Sequence, residues 1–374
     1  MNKLASCFLQ HGAPSAQSFK SFHVQRSPSL HSLERRSVSM PRSRTADHAA
    51  TAANATIGPH ANTQGADVTV VSGTSFDFER YLSAKARAVH DALDLALQGL
   101  PCPEVLSQSM RYSVLAGGKR VCPVVAIAAC ELVGGPVAAA VPVACAFEMI
   151  HTASLIHDDM PYMDDGALRL GRPSNHVAFG KPTALLAGDA LLALAFEHVA
   201  RGCAGAGVPA DRALRAIVEL GSAAGVGGIA AGQVADMASE GAPSGSVSLA
   251  ALEYIHVHKM ARLVEAAAVS GAVVGGGADG EVERIRRYAH FLGLLHQVVD
   301  DLLDVTGTPE QLGKMTGKDA AASKATYPRL MGMEGTRAYM GELLAKAEAE
   351  LDGFDAARVA PLRHLARFMA YRQH

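Results

Sequence analysis

Six aspartates in two short runs are the residues best placed to do chemistry. Asp158, Asp159 and Asp164 close a strongly apolar stretch that begins near Val141, and Asp300, Asp301 and Asp304 follow Gln297-Val298-Val299. Asp300 and Asp304 are four residues apart and share one helical face, where like charges repel. Carboxylates set into an apolar helix make sense as hard oxygen ligands for a divalent cation. A single run of this kind is equally well a solvated face or a helix cap. Two runs in apolar surroundings point further, because magnesium takes few carboxylates and completes its shell with substrate phosphate oxygens. The expected cofactor is Mg2+, with a diphosphate held between two acidic helices. Asp158 and Asp164 do not share one face of a straight helix, so a bend near Pro161 is expected.

A diphosphate leaving group also needs side-chain cations. Candidates sit beside glycines or polar breaks: Gly117-Gly118-Lys119-Arg120, Arg169 and Arg172, His258-Lys259, and Lys314 through Lys318 with Lys324. Taken singly, each is more often a solvated surface charge.

The elements that must position these groups read as helices. From Phe76 onward apolar residues recur at helical spacing, as in Ile285, Tyr288, Leu292, Leu295, Val299 and Leu302. Glycine and proline gather at Leu100 to Pro103, Gly134 to Pro136, Gly205 to Pro209, Gly241 to Gly245 and Gly275 to Gly280, which divides the chain into about ten helices. Strand-like alternation is scarce, and no internal linker is long enough to separate two domains. Residues 1–73 are different: rich in Ser, Ala, Thr, His and Arg, nearly free of acids, and without helical period. That is the composition of a plastid or, less favoured, mitochondrial transit peptide, and residues 74–374 form one helical domain.

The 374 residues are 49% hydrophobic and carry a formal net charge of -2, which supplies a deep core and argues against nucleic-acid binding. The six cysteines include no C-x-x-C pair and are expected to stay reduced. Charge and glycine interrupt every long apolar stretch, so no membrane span is expected.

The blocks GGKRVCP, MIHTASLIHDDMPYMD, LRLGRPSNH, LLAGDALLALAFEH, AAGQVADMASEG, IHVHKMA, HQVVDDLLD and GKMTGKDAAASKATYP resemble plant geranylgeranyl diphosphate synthases of the trans-polyprenyl diphosphate synthase family, over roughly Phe76 to His374. The resemblance implies an all-α antiparallel bundle around a deep central cavity, assembled as a homodimer or as a heterodimer with another synthase subunit. It also implies condensation of isopentenyl diphosphate with an allylic diphosphate. By similarity, Asp158, Asp159 and Asp164 form one metal site and Asp300, Asp301 and Asp304 the other. Arg169, Lys259, Gln297, Lys314 and Lys324 match positions that hold the allylic diphosphate, with Met260 where the family has threonine.

The homoallylic half departs from the pattern. Lys119 and His151 match two isopentenyl diphosphate anchors, but Cys122 and Leu170 stand where the family has arginines. Neither donates to phosphate as a guanidinium does. Two lost charge-assisted hydrogen bonds, if additive, weaken binding by roughly a hundredfold to ten-thousandfold. Arg120 lies about 160° around a helix from position 122 and reaches the gap only from a loop, whereas Arg172, two residues past Leu170, is better placed. Gly166-Ala167 and Ser323 replace acidic positions of the family. Ser154 and Ala153, four and five residues before Asp158, are small, which either leaves room for a geranylgeranyl-length chain or only permits close helix packing.

Three activities follow. The first is a working synthase of geranylgeranyl diphosphate. The second is a weakly active or non-catalytic subunit that pairs with an active synthase and modulates its output, although Ala126 breaks the C-x-x-x-C signature that ends at Cys130. The third, least favoured, is a terpene cyclase using only the allylic half.

Overall fold

A computed structural model describes residues 76–241, 247–307 and 324–372. The expected targeting segment, its boundary at residue 73, and Lys314, Lys318 and Ser323 lie outside the described residues. The helices are α1 Phe78–Ala96, α2 Glu104–Val114, α3 Val121–Leu132, α4 Val137–Asp158, α5 Asn175–Phe179, α6 Lys181–Gly205, α7 Ala210–Ala224, α8 Ile229–Ser239, α9 Leu249–His256, α10 Arg262–Gly275, α11 Asp279–Thr306, α12 Tyr327–Glu350 and α13 Ala356–Tyr371. The fold is all-α, as the apolar periodicity requires. The exception among the described residues is a minimal antiparallel hairpin, β1 Leu168–Arg169 with β2 Arg172–Pro173.

Helix α4 is the axis. It packs against α3, α6 and α10, while α11 lies on α10 and carries α12 and α13. Because α3, α4 and α10 are covered on every side, their sequences are apolar all round and rich in alanine, and small residues set their spacing. A Cβ on Gly271 of α10 would lie 1.9 Å from the carbonyl oxygen of Ala126 in α3.

By length and mean hydropathy alone, α4, α6 and the Ala210–Ser239 segment (α7 with α8) are apolar enough to cross a membrane despite their charges and glycines. In α4 that apolar character is used by the core, since 78% of its apolar window is buried. Helices α6 and α7 instead keep large apolar residues outside, among them Leu186, Leu214 and Val218.

Between α9 and α10 the helix widens into a π turn, Val257–Ala261. Such turns concentrate at functional sites. Two glycines let neighbours close on it: a Cβ on Gly232 of α8 would lie 2.4 Å from the Lys259 backbone nitrogen, and one on Gly293 of α11 would lie 2.5 Å from the Ala261 Cα. Gly232→Ala is therefore expected to push α8 off the π turn and destabilise the protein by about 1–3 kcal/mol, read as a lower urea midpoint.

Candidate active site

Helix α4 ends at Asp158, and the chain turns back on itself through Pro161 so that the Asp164 N–H donates to the Asp158 carbonyl at 2.9 Å. This is the bend that the spacing of the first aspartates required. Beyond it the β1–β2 hairpin delivers Arg169, whose Nε and Nη2 donate to the two oxygens of Asp159 at 3.1 and 2.6 Å. Asp158 accepts from Gln233 Nε2 on α8 at 2.7 Å and lies 3.5 Å from Lys259 Nζ. Lys259, aimed inward by the π turn, donates to Asp236 of α8 at 2.7 Å. Lys324 meets Glu240 at 2.9 Å, Asp236 at 3.6 Å and Asp164 at 3.9 Å. Burial alone would lower the pKa values of Lys259 and Lys324. Asp158 and Asp236 hold Lys259 above the usual range, and Asp236 with Glu240 does the same for Lys324. Asp236 is in turn kept below the usual carboxylate range: burial acts to raise it, but the two lysines outweigh that effect.

The second run lies on the last turns of α11. Asp300 accepts from Arg372, at the end of α13, at 2.6 Å. Asp301 is buried and accepts from the Tyr327 N–H at 2.9 Å, so it caps the start of α12. Asp304 is buried nearby on α11, and Gln297 is half-buried beside His296.

A cavity of about 580 Å³ joins the two runs. Asp159 and Arg169 line it with Asp300 and Arg372, and so do Lys119, His151, Cys122, Leu170 and Arg172. Lys119 follows Gly117 and Gly118, whose φ values of 101° and 107° suit glycine, and the loop leads into α3 through Arg120. Burial lowers the His151 pKa, only partly offset by Glu148, so its imidazole is neutral at neutral pH. The two small residues expected beneath the first aspartates do not line the cavity; Thr152, Leu155 and Ile156 do. Ala153 is fully buried, and the Ser154 hydroxyl donates to the His151 carbonyl at 2.8 Å.

Arg120 is not a free cation at the cavity mouth, because its guanidinium is buried against Glu148 and the Val114 carbonyl. Among the described residues, no three Asp, Glu, His or Cys side chains gather closely enough to hold a metal by themselves. Like charges disperse, and Asp158, Asp159, Asp164 and Asp300 each face a side-chain cation. The donor set still suits magnesium, a hard ion that takes one or two protein carboxylates and completes its shell with phosphate oxygens. The residues that sequence reasoning missed are Gln233, Asp236, Glu240 and Arg372. Gln233 and Asp236, three apart on α8 within the block AAGQVADMASEG, were the available signal.

The Polyprenyl synthetase family model matches residues 103–358. The chain belongs to the polyprenyl synthetase family. Among its relatives, the heterodimeric geranylgeranyl pyrophosphate synthase large subunit 1, chloroplastic, of Arabidopsis thaliana is 54% identical over 80% of this chain and 81% of its own. The chloroplastic geranylgeranyl pyrophosphate synthase of Capsicum annuum is 51% identical over 80% of each chain. The structure also superposes on the crystal structure of a putative farnesyl-diphosphate synthase from Marinomonas sp. MED121, with TM-score 0.68 and 33% identity over 79% of this chain and all of that one.

Beside that cavity, His256 is pushed down to about 4 by burial, and its Nδ1 has no hydrogen-bond partner among the described residues. An unfolded histidine binds its proton near pH 6.5. The unfolded state therefore takes up more protons between those values, and stability falls as pH drops from about 6.5 toward 4. Urea denaturation at pH 7 and pH 5 should differ by about 2 kcal/mol from this residue, a difference that His256→Asn removes.

Proposed function

We propose that the chain is a trans-prenyltransferase that condenses isopentenyl diphosphate with an allylic diphosphate to give geranylgeranyl diphosphate. The observation that carries this reading is one cavity lined by Asp159 with Arg169 from one side of the fold and Asp300 with Arg372 from another, with Lys119 and His151 between the helices. Arg169, Lys259 and Lys324 hold the allylic diphosphate, joined by Lys314 and Gln297, and Lys119 with His151 anchors isopentenyl diphosphate. The allylic C–O bond breaks as the diphosphate leaves. The double bond of isopentenyl diphosphate then attacks the allylic cation, a C–C bond forms and a proton is lost.

Asp158, Asp159 and Asp164, with Asp300, Asp301 and Asp304, are the residues that would hold Mg2+. Magnesium, when bound, supplies the charge that stabilises the departing diphosphate. The side chains do the rest. Arg169 is pre-oriented by its two hydrogen bonds to Asp159, Lys259 is fixed by Asp158 and Asp236, and the apolar wall of Leu155, Ile156, Met260 and Leu303 keeps water from the cation.

The exposed apolar residues of α6 and α7 support a homodimer, or a heterodimer with another synthase subunit, as does the similarity to the Arabidopsis heterodimeric large subunit. Residues 1–73 serve as a plastid transit peptide, a reading supported by their composition and by relatives named as chloroplastic.

The test is incubation of the purified chain with magnesium, farnesyl diphosphate and labelled isopentenyl diphosphate. A geranylgeranyl product is expected. No turnover at saturating isopentenyl diphosphate overturns the reading and favours the partner-subunit role instead, which the buried thiol of Cys122 and the apolar Leu170 would then explain.

A further inference from the structure

We propose that Arg172, mounted on the ring of Tyr112, supplies the guanidinium that grips the homoallylic diphosphate, in place of arginines at positions 122 and 170. The inference rests on the prenyltransferase reading above and asks how its second substrate is held.

Four arginines line the cavity: Arg120, Arg169, Arg172 and Arg372. Three are committed to carboxylates, Arg120 to Glu148, Arg169 to Asp159 and Arg372 to Asp300. Arg172 has no carboxylate partner among the described residues. Its guanidinium carbon instead lies 4.1 Å from the centre of the Tyr112 ring. A guanidinium stacked on a neutral ring keeps its full charge and leaves its N–H edge open to an anion.

The platform is itself fixed. The Tyr112 hydroxyl donates to the Pro173 carbonyl at 2.8 Å, and the Phe179 ring packs edge-on against Tyr112 at 5.3 Å. Pro173 also restricts the preceding residue, Arg172, to extended backbone.

The hairpin then aims the side chain. Arg172 is the direct cross-strand partner of Arg169, and the two-residue turn between them is Leu170-Gly171, with φ values of 52° and 71°. Both positive values mark the tight hairpin turn that keeps two strands in register. Directly paired residues project from the same face. Since Arg169 reaches Asp159, Arg172 emerges on the cavity side next to it, while Leu170 sits at the tip. Lys119 and His151 line the same cavity. Cys122, the other substituted position, is 4% exposed, and burial pushes its thiol pKa up, so it presents a neutral S–H. The charge missing at positions 122 and 170 thus has one uncommitted arginine beside it, on a built support.

The experiment is equilibrium binding of isopentenyl diphosphate to the full chain with magnesium and a non-ionising allylic thiolodiphosphate, alongside KM values for both substrates. Arg172→Ala is expected to weaken isopentenyl diphosphate binding by about 10- to 100-fold and to change allylic binding by less than about twofold. Arg172→Lys should recover part of the loss. Tyr112→Leu should weaken isopentenyl binding in the same direction, and Tyr112→Phe, which keeps the ring but loses the hydroxyl's bond to Pro173, should weaken it less. Adding Cys122→Arg and Leu170→Arg to Arg172→Ala should restore affinity.

Isopentenyl affinity within twofold of the parent in Arg172→Ala overturns the proposal. So does an equal loss for both substrates, which would mark the hairpin as a structural support only, and so does a parent chain that binds no isopentenyl diphosphate. Arg172-dependent binding in a chain that never turns over would sustain the proposal and defeat the enzymatic reading alone.

Discussion

Asp159→Asn lowers turnover by about a hundredfold to a thousandfold and leaves the fold nearly unchanged. The carboxylate of Asp159 has a side chain only 5% exposed and accepts from two nitrogens of Arg169, whose own side chain is 39% exposed. Asparagine removes the charge and one of the two acceptor oxygens, so Arg169 loses the contact that fixes its fork. Loss of one preorganised electrostatic group in a water-poor site costs about 10²–10³ in rate. Stability responds less, because the unpaired guanidinium can turn to solvent, and the loss should stay near 1–2 kcal/mol. Steady-state kinetics at saturating substrates, with thermal unfolding on the same samples, separates the two effects. A kcat within tenfold of the parent would remove Asp159 from the working site.

The residues that carry this effect differ in how far the sequence reveals them. Asp158 and Asp159 announce themselves because two adjacent acids end an apolar run, and Arg169 because it follows at a glycine-containing break. The apolar period of α11 likewise places Asp300 and Asp304, four residues apart, on one face. Gln233, Asp236 and Glu240 were not legible in this way. On a short helix and the cap residue that follows it they read as scattered solvated polar groups, and only the approach of the π turn and of Lys324 makes them a cradle for two lysines. The π turn has no local signature either, since every residue from Val257 to Ala261 is compatible with an ordinary α-helix. Arg372 is remote in another sense: it meets Asp300 from the far end of the chain, through packing of α13 on α11.

Glu148 carries a sequence signal of a different kind. It is the one charged residue between Val137 and Ile150, on a helix buried along most of its length. A lone acid in such a place needs a cation. That cation is Arg120, with side-chain exposures of 3% for Arg120 and 7% for Glu148, held in addition by a 2.6 Å hydrogen bond to the Val114 carbonyl. Arg120 has a φ of 51°, so the ion pair also pins a left-handed residue at the start of α3.

Glu148→Gln is accordingly expected to destabilise the protein by about 3–5 kcal/mol, because it strands a buried guanidinium rather than merely removing a contact. Urea unfolding measures it, and a loss below about 1 kcal/mol would show that the pair is not a structural strut. Replacing both partners, Arg120→Met with Glu148→Leu, should recover most of the stability, since an apolar pair of similar volume avoids the desolvation cost. The double variant also decides what Arg120 is for. As a strut between Lys119 and Cys122, its replacement restores isopentenyl diphosphate affinity together with stability. As a diphosphate ligand, it would leave stability restored and affinity lost, and the geometry, which turns the guanidinium into the protein against Glu148, calls for the first outcome.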